Sequence, residues 1–124
     1  MLSREKAYPT VAVKDMAVAR KFYEGTLGLQ EFSTEGPGFV AYRTKDSMLF
    51  VYRSKFAGNN EATVVTWIVG DVEQAVESLK ARGVTFEHYD MPRTTRVGDV
   101  HVSGKSKVAW FKDPDGNIHS IAEE

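Results

Sequence analysis

One pattern occurs twice in this chain and restricts its fold more than any other feature. Tyr8-Pro-Thr-Val-Ala-Val-Lys-Asp15 is followed by Met16, Ala19, Phe22, Tyr23 and Leu27. Val64-Val-Thr-Trp-Ile-Val-Gly-Asp71 is followed by Val72, Ala75, Val76 and Leu79. Each copy opens with a β-branched run, which suits a buried strand because side chains branched at Cβ pack well on a pleated surface. Each run ends at an aspartate placed to accept from the first-turn amides of a helix, which lack intrahelical acceptors. Asp71 with Gln74 also has the spacing of a capping box. The apolar positions that follow recur every three or four residues, so each helix buries one stripe. Gly28 and Gly83 fall where a helix C-terminus favours a left-handed residue. The aspartates are 56 residues apart and the glycines 55. This near-constant offset predicts internal duplication, although two generic strand-helix units would look the same.

After each helix the apolar period falls towards two. Residues 29–34, 39–44 and 47–52 read as strands in the first half, with Lys45-Asp46 as a tight turn. In the second half the strands are 84–90, 107–112 and 117–122, and Asp113-Pro-Asp-Gly116 is a hairpin turn. Its proline presets the first turn dihedral and its glycine takes the positive φ. Each half is therefore β-α-β-β-β. The fold class is α+β: two such modules in a single domain 1–124, module 1 about 6–54, a polar linker 55–62, and module 2 about 63–124. That length buries a core without disulfides or a structural metal.

Composition narrows the partners. Sixteen Lys and Arg against 17 Asp and Glu leave a net charge of −1, which argues against nucleic acid or an anionic membrane surface. There is no cysteine, so thiolate nucleophiles and thiolate metal sites are excluded. The opening ten residues carry charges and a proline instead of an apolar stretch, and no apolar run approaches the roughly 20 residues of a membrane span. A cytoplasmic location is expected.

Val13-Lys-Asp-Met-Ala-Val-Ala-Arg-Lys-Phe-Tyr23 followed by Leu27-Gly-Leu29 resembles the first-repeat signature of the vicinal-oxygen-chelate superfamily, the glyoxalase, bleomycin resistance and dioxygenase proteins. Phe111-Lys-Asp-Pro-Asp-Gly-Asn117 resembles its closing hairpin. The likeness runs from about Tyr8 to Ala122. It implies paired modules whose curved mixed sheet encloses a cavity, and a homodimer.

The resemblance also implies where metal-using members carry their ligands. Here those positions hold Tyr8, Val64, Ser120 and either Phe50 or Val51. Divalent ions in such cavities need imidazole and carboxylate, which none of these residues supplies. No metal and no cofactor are therefore expected, and the metal-dependent lyase, isomerase and dioxygenase chemistries are put in doubt.

Strand alternation predicts what lines the cavity instead. Val40, Tyr42, Leu49 and Val51 form the more apolar face, under the helix. The open face then carries Arg43, Met48, Phe50 and Tyr52 with Tyr8, Thr10, Thr66, Trp110 and Ser120. The ligand-binding candidates among them are Tyr8, Arg43, Phe50, Tyr52, Thr66, Trp110 and Ser120. Rings, hydroxyls and one guanidinium suit a flat organic molecule, although aromatic residues on strands more often fill a core or a dimer interface. Trp110 should oppose Ser120, and Phe111 should join His119 on the other face.

His88, His101 and His119 lack the spacing of a helical metal pair. Glu87 is a catalytic candidate as a buried general base, and Tyr8 a second, while a solvated or salt-bridged Glu87 is the plainer reading. The basic, glycine- and serine-containing stretch 93–107 reads as a lid or as a solvated hairpin. The leading expectation is a metal-independent protein binding a small hydrophobic or aromatic molecule, similar to drug-resistance binding proteins. The alternatives are a glyoxalase-like lyase with non-standard ligands or a Glu/Tyr acid-base, and a partner-binding module without ligand.

Overall fold

The computed structural model describes residues 1–34 and 36–123. The chain divides into two compact units, Met1–Asn59 and Asn60–Glu124.

The first unit contains β1 (Thr10–Val13), α1 (Met16–Arg20), β2 (Gln30–Thr34), β3 (Phe39–Thr44) and β4 (Ser47–Arg53). Its sheet has the order β1-β4-β3-β2, with β1 parallel to β4 and the other pairs antiparallel. Asp15 caps α1 by accepting from Ala17 and Val18 amides. Val40 and Tyr42 on β3 pair with Val51 and Leu49 on β4, and all four are buried. The Lys45-Asp46 turn closes the Thr44–Ser47 pair, with Asp46 at a φ of 59°.

One expectation about the first helix is changed. The α-helix lasts five residues and widens into a π-helical stretch, Lys21–Thr26, before Gly28 takes a φ of 73°. Gly25 lies inside this stretch, where glycine is a poor helix former. Tyr23 is fully buried and stacks on Tyr42 at 6.0 Å. Glu24 accepts from the Tyr42 hydroxyl and from Arg20, each at 2.8 Å, and Arg20 also reaches Glu31 at 2.7 Å. This network ties the helix to β3 and β2. Burial, followed by the Glu24 bond, raises the Tyr42 hydroxyl above its ordinary pKa.

The second unit contains β5 (Thr63–Val69), α2 (Val72–Ala81), β6 (Phe86–Glu87), β7 (Thr95–Val97), β8 (Val100–Ser103), β9 (Ser106–Lys112) and β10 (Ile118–Glu123). Its order is β5-β10-β9-β8-β7, with β6 also pairing β9. The parallel β5–β10 pair repeats β1–β4, and β9 and β6 take the places of β3 and β2. The same topology in both units matches the duplication read from the offsets. Asp71 caps α2 through the Gln74 amide, and Glu123 accepts from the Val72 amide at 2.9 Å.

Two departures lie in this half. The predicted strand 84–90 shortens to Phe86–Glu87, because β8 occupies the rest of that edge of β9. The stretch 93–107 is a hairpin within the sheet: β7 and β8 pair antiparallel, Val100 and His101 are buried, and Gly98 takes a positive φ between the strands. The flexible-lid reading is therefore replaced by the hairpin one. Val97-Gly98-Asp99-Val100 is a two-residue turn between β-branched residues, the legible signal for it.

Candidate functional site

The second unit's sheet sorts its side chains by alternation. On one face His119 is fully buried between Phe111, stacked at 4.9 Å, and Trp67, stacked at 6.2 Å. Trp67 Nε1–H donates to His119 Nδ1 at 3.0 Å. Burial lowers the pKa of this imidazole to about 4, so the ring is neutral at neutral pH and accepts the indole proton. Phe86 is buried on the same side and meets Phe111 at 5.9 Å. This face is core.

The opposite face carries Trp110. It pairs with Ser120 across β9–β10 and with Glu87 across β9–β6. Ser120 pairs with Thr66 on β5, and their hydroxyl oxygens lie 2.7 Å apart. The Trp110 ring is half-buried, with Tyr89 set edge-to-face at 5.2 Å and His101 at 4.8 Å. The His101 position follows from its pairing with Val108, which shares a face with Trp110 two residues on. His101 Nε2 accepts from the Tyr89 amide at 3.0 Å. Burial, and then the Glu87 charge, raises the Tyr89 hydroxyl pKa, so it stays protonated. Tyr89 and His101 belong to this face although the sequence reading did not place them among the ligand-binding candidates. The positive-φ turn glycines Gly98 and Gly104 bound the strand that carries His101.

Glu87 is half-buried and faces Lys112 Nζ at 3.5 Å. The plainer salt-bridged reading describes it, rather than an enclosed general base. His88 is exposed and pairs with Asp99, which also holds Lys80; those two bonds, Lys80's first, lower the Asp99 pKa.

In the first unit, Tyr8 and Phe50 meet edge-to-face at 5.2 Å, and Phe39 approaches Phe50 at 5.2 Å. The Pro9 carbonyl accepts from the Phe50 amide, which fixes Tyr8 beside that strand. Tyr52 pairs with Phe39 and is exposed. Arg43 is drawn aside: its guanidinium lies over the Phe32 ring at 4.4 Å, on the exposed end of β3. The structure thus groups Tyr8, Phe50 and Tyr52 in one unit and Thr66, Trp110 and Ser120 in the other.

The positions at which the resemblance implies metal ligands do not fit a divalent ion. Val64 is the extra residue where the β5–β10 register shifts, and it has no donor atom; neither has Phe50. Ser120 Oγ is already engaged by Thr66, and the Tyr8 ring packs on Phe50. Among the described residues, the one group of three His, Asp or Glu ligand atoms within reach of a shared ion is Asp71, Glu73 and Glu123. Asp71 and Glu123 accept from first-turn amides of α2, and Glu73 pairs with Lys107 at 2.8 Å.

A duplicated module of one helix and a mixed sheet, with an aromatic face in each copy, defines the class of protein. The family model described as the Glyoxalase/Bleomycin resistance protein/Dioxygenase superfamily matches residues 7–119, and the chain belongs to that superfamily. Solved structures share the fold. An integron cassette protein from the mobile metagenome of the Halifax Harbour sewage outfall is 16% identical with a TM-score of 0.72, covering 98% of this chain and 99% of that one. A lactoylglutathione lyase from Agrobacterium tumefaciens is 16% identical, TM-score 0.71, with 97% and 93% covered. A glyoxalase/bleomycin resistance protein/dioxygenase from Alicyclobacillus acidocaldarius is 15% identical, TM-score 0.70, with 97% and 91% covered. At these identities the likeness carries the fold alone. No curated protein matches the chain. Among the described residues, no helix is long and apolar enough to cross a membrane.

Proposed function

We propose that this protein binds a small hydrophobic or aromatic molecule without a metal, and that Trp110 is the platform. The observation that carries this reading is the Trp110 ring itself, half-buried and flanked by two aromatic edges instead of being enclosed in the core. An indole held in that way offers a rigid apolar surface on which a flat molecule gains contact area at little entropic cost. The adjacent Thr66–Ser120 hydroxyl pair supplies polar groups for orientation. Tyr8, Phe50 and Tyr52 are proposed as an apolar contact surface of the first unit by itself, with Arg43 as a further ligand-binding residue of that unit. Sequestration of this kind needs no reacting group, which agrees with the donor-poor set at Tyr8, Val64, Phe50 and Ser120. A cytoplasmic homodimer is part of the same reading.

The test is binding by the Trp110→Ala variant. Fluorescence and calorimetric titration with naphthalene-based probes should show saturable binding to the wild type and none to the variant. The variant's stability should fall by less than ~2 kcal/mol. A loss of about 3–5 kcal/mol would instead identify Trp110 as core and remove the platform.

A further inference from the structure

Two buried polar atoms beside Trp110 lack hydrogen-bond partners among the described residues: the Tyr89 hydroxyl and His101 Nδ1. Such atoms are rare in folded proteins, since leaving a buried donor unmatched forfeits its hydration with no return. His101 is 2% exposed, so bulk water does not serve its ring. The protonation of these groups follows from their neighbours. His101 Nε2 accepts from the Tyr89 backbone N–H, an amide that can only donate. The remaining nitrogen, Nδ1, therefore carries the ring proton and needs an acceptor. Tyr89 keeps its hydroxyl proton and can donate as well. Both rings pack at steep angles to Trp110, at 4.8 and 5.2 Å, and a contact with an aromatic ring is a weak substitute for a bond to oxygen.

We infer that His101 Nδ1–H and the Tyr89 hydroxyl, both covered as the structure stands, are the polar anchor of the Trp110 site and donate to an uncharged carbonyl oxygen of a flat aromatic ligand that enters as the side chains over them shift. This rests on the proposed binding function and narrows it to a ligand class. The acceptor is specified by the donors. That it is uncharged follows from Glu87, which stands opposite Trp110 in the β6–β9 ladder and acts on the Tyr89 hydroxyl. A ligand carboxylate here would meet that negative charge, and Lys112, the lysine that acts on the Tyr89 hydroxyl, is already paired with Glu87.

Three isosteric probes test the inference by calorimetric titration: 2-acetylnaphthalene, 2-isopropylnaphthalene and 2-naphthoate. The ketone should bind the wild type about tenfold more tightly than the hydrocarbon, the gain expected of a well-placed hydrogen bond. The carboxylate should bind more weakly than the ketone. Tyr89→Phe and His101→Met should each narrow the affinity gap between ketone and hydrocarbon, whatever common change both ligands show. Methionine keeps a weak acceptor for the Tyr89 amide and has no donor. Because Tyr89→Phe removes an unmatched buried hydroxyl, its melting temperature should be at or above that of the wild type.

Equal affinity for ketone and hydrocarbon, both abolished by Trp110→Ala, would overturn the anchor and leave the platform standing. A carboxylate preference would overturn the uncharged class. Binding of none of the three would overturn anchor and platform together. A ketone preference that survives both anchor variants would show that Tyr89 and His101 do not supply it.

Discussion

At the scale of single residues, His119 makes the stability of the second unit depend on pH. Its imidazole is buried between Trp67 and Phe111, accepts the Trp67 indole N–H, and has its pKa lowered from 6.5 to about 4 by burial. In the unfolded chain the same ring protonates near 6.5. Between those values the unfolded state binds a proton that the folded state refuses, so stability is full above pH 6.5 and falls as the pH drops to 4. At about 1.4 kcal/mol per pKa unit, the loss amounts to about 3 kcal/mol. Urea unfolding from pH 7 to 4 should show this slope, and His119→Gln should flatten it. A variant with the wild-type slope would place the titration elsewhere. The sequence placed His119 on the face turned away from Ser120 by strand parity, but Trp67 as its donor was not legible, because the contact crosses 52 residues.

At the scale of elements, the best-read feature is the Asp113–Gly116 turn, and the structure shows why composition revealed it. Asp113 is buried and Oδ1 accepts from the Asp115 and Asn117 amides, while Oδ2 accepts from the Asn117 side chain. Gly116 has a φ of 85°, and a Cβ there would meet nothing within 4 Å. The cost of replacing it is therefore backbone strain rather than a clash. Gly116→Val should destabilise by about 1–3 kcal/mol and Gly116→Asn by less, since asparagine tolerates the left-handed region. Thermal or urea unfolding of the pair would check it, and equal losses would contradict a purely conformational cause. Asp113→Ala strands the Asn117 amide and should cost at least as much as Gly116→Val in the same measurement. Turns and caps were readable because their determinants are local. The widened turn at Lys21–Thr26 and the shortening of β6 were not, since one depends on the burial of Tyr23 against Tyr42 and the other on β8 competing for an edge of β9.

At the scale of the whole molecule, the repeated topology was legible from two capped helices at a fixed offset, whereas the candidate site was legible only in part. Parity brought Trp110 opposite Ser120, but His101 entered that face through a hairpin whose register no periodicity fixes. What the molecule does with metal can be argued from its donors as a set. Val64 and Phe50 offer none, and Ser120 Oγ is engaged by Thr66. The acidic group at the start of α2 is already committed: Asp71 to the Gln74 amide, Glu123 to the Val72 amide and Glu73 to Lys107. An ion there would compete with those bonds for the same carboxylates. Protein purified without chelator, incubated with zinc, nickel, manganese or iron and then desalted, should retain far less than one ion per chain by elemental analysis. Chelator should leave both the melting temperature and the affinity for 2-acetylnaphthalene unchanged. Retention of one ion per chain, with binding lost on chelation, would overturn the metal-independent reading. If Glu123→Gln then released the ion but preserved binding, the ion would belong to the α2 terminus and the Trp110 face would still stand without it.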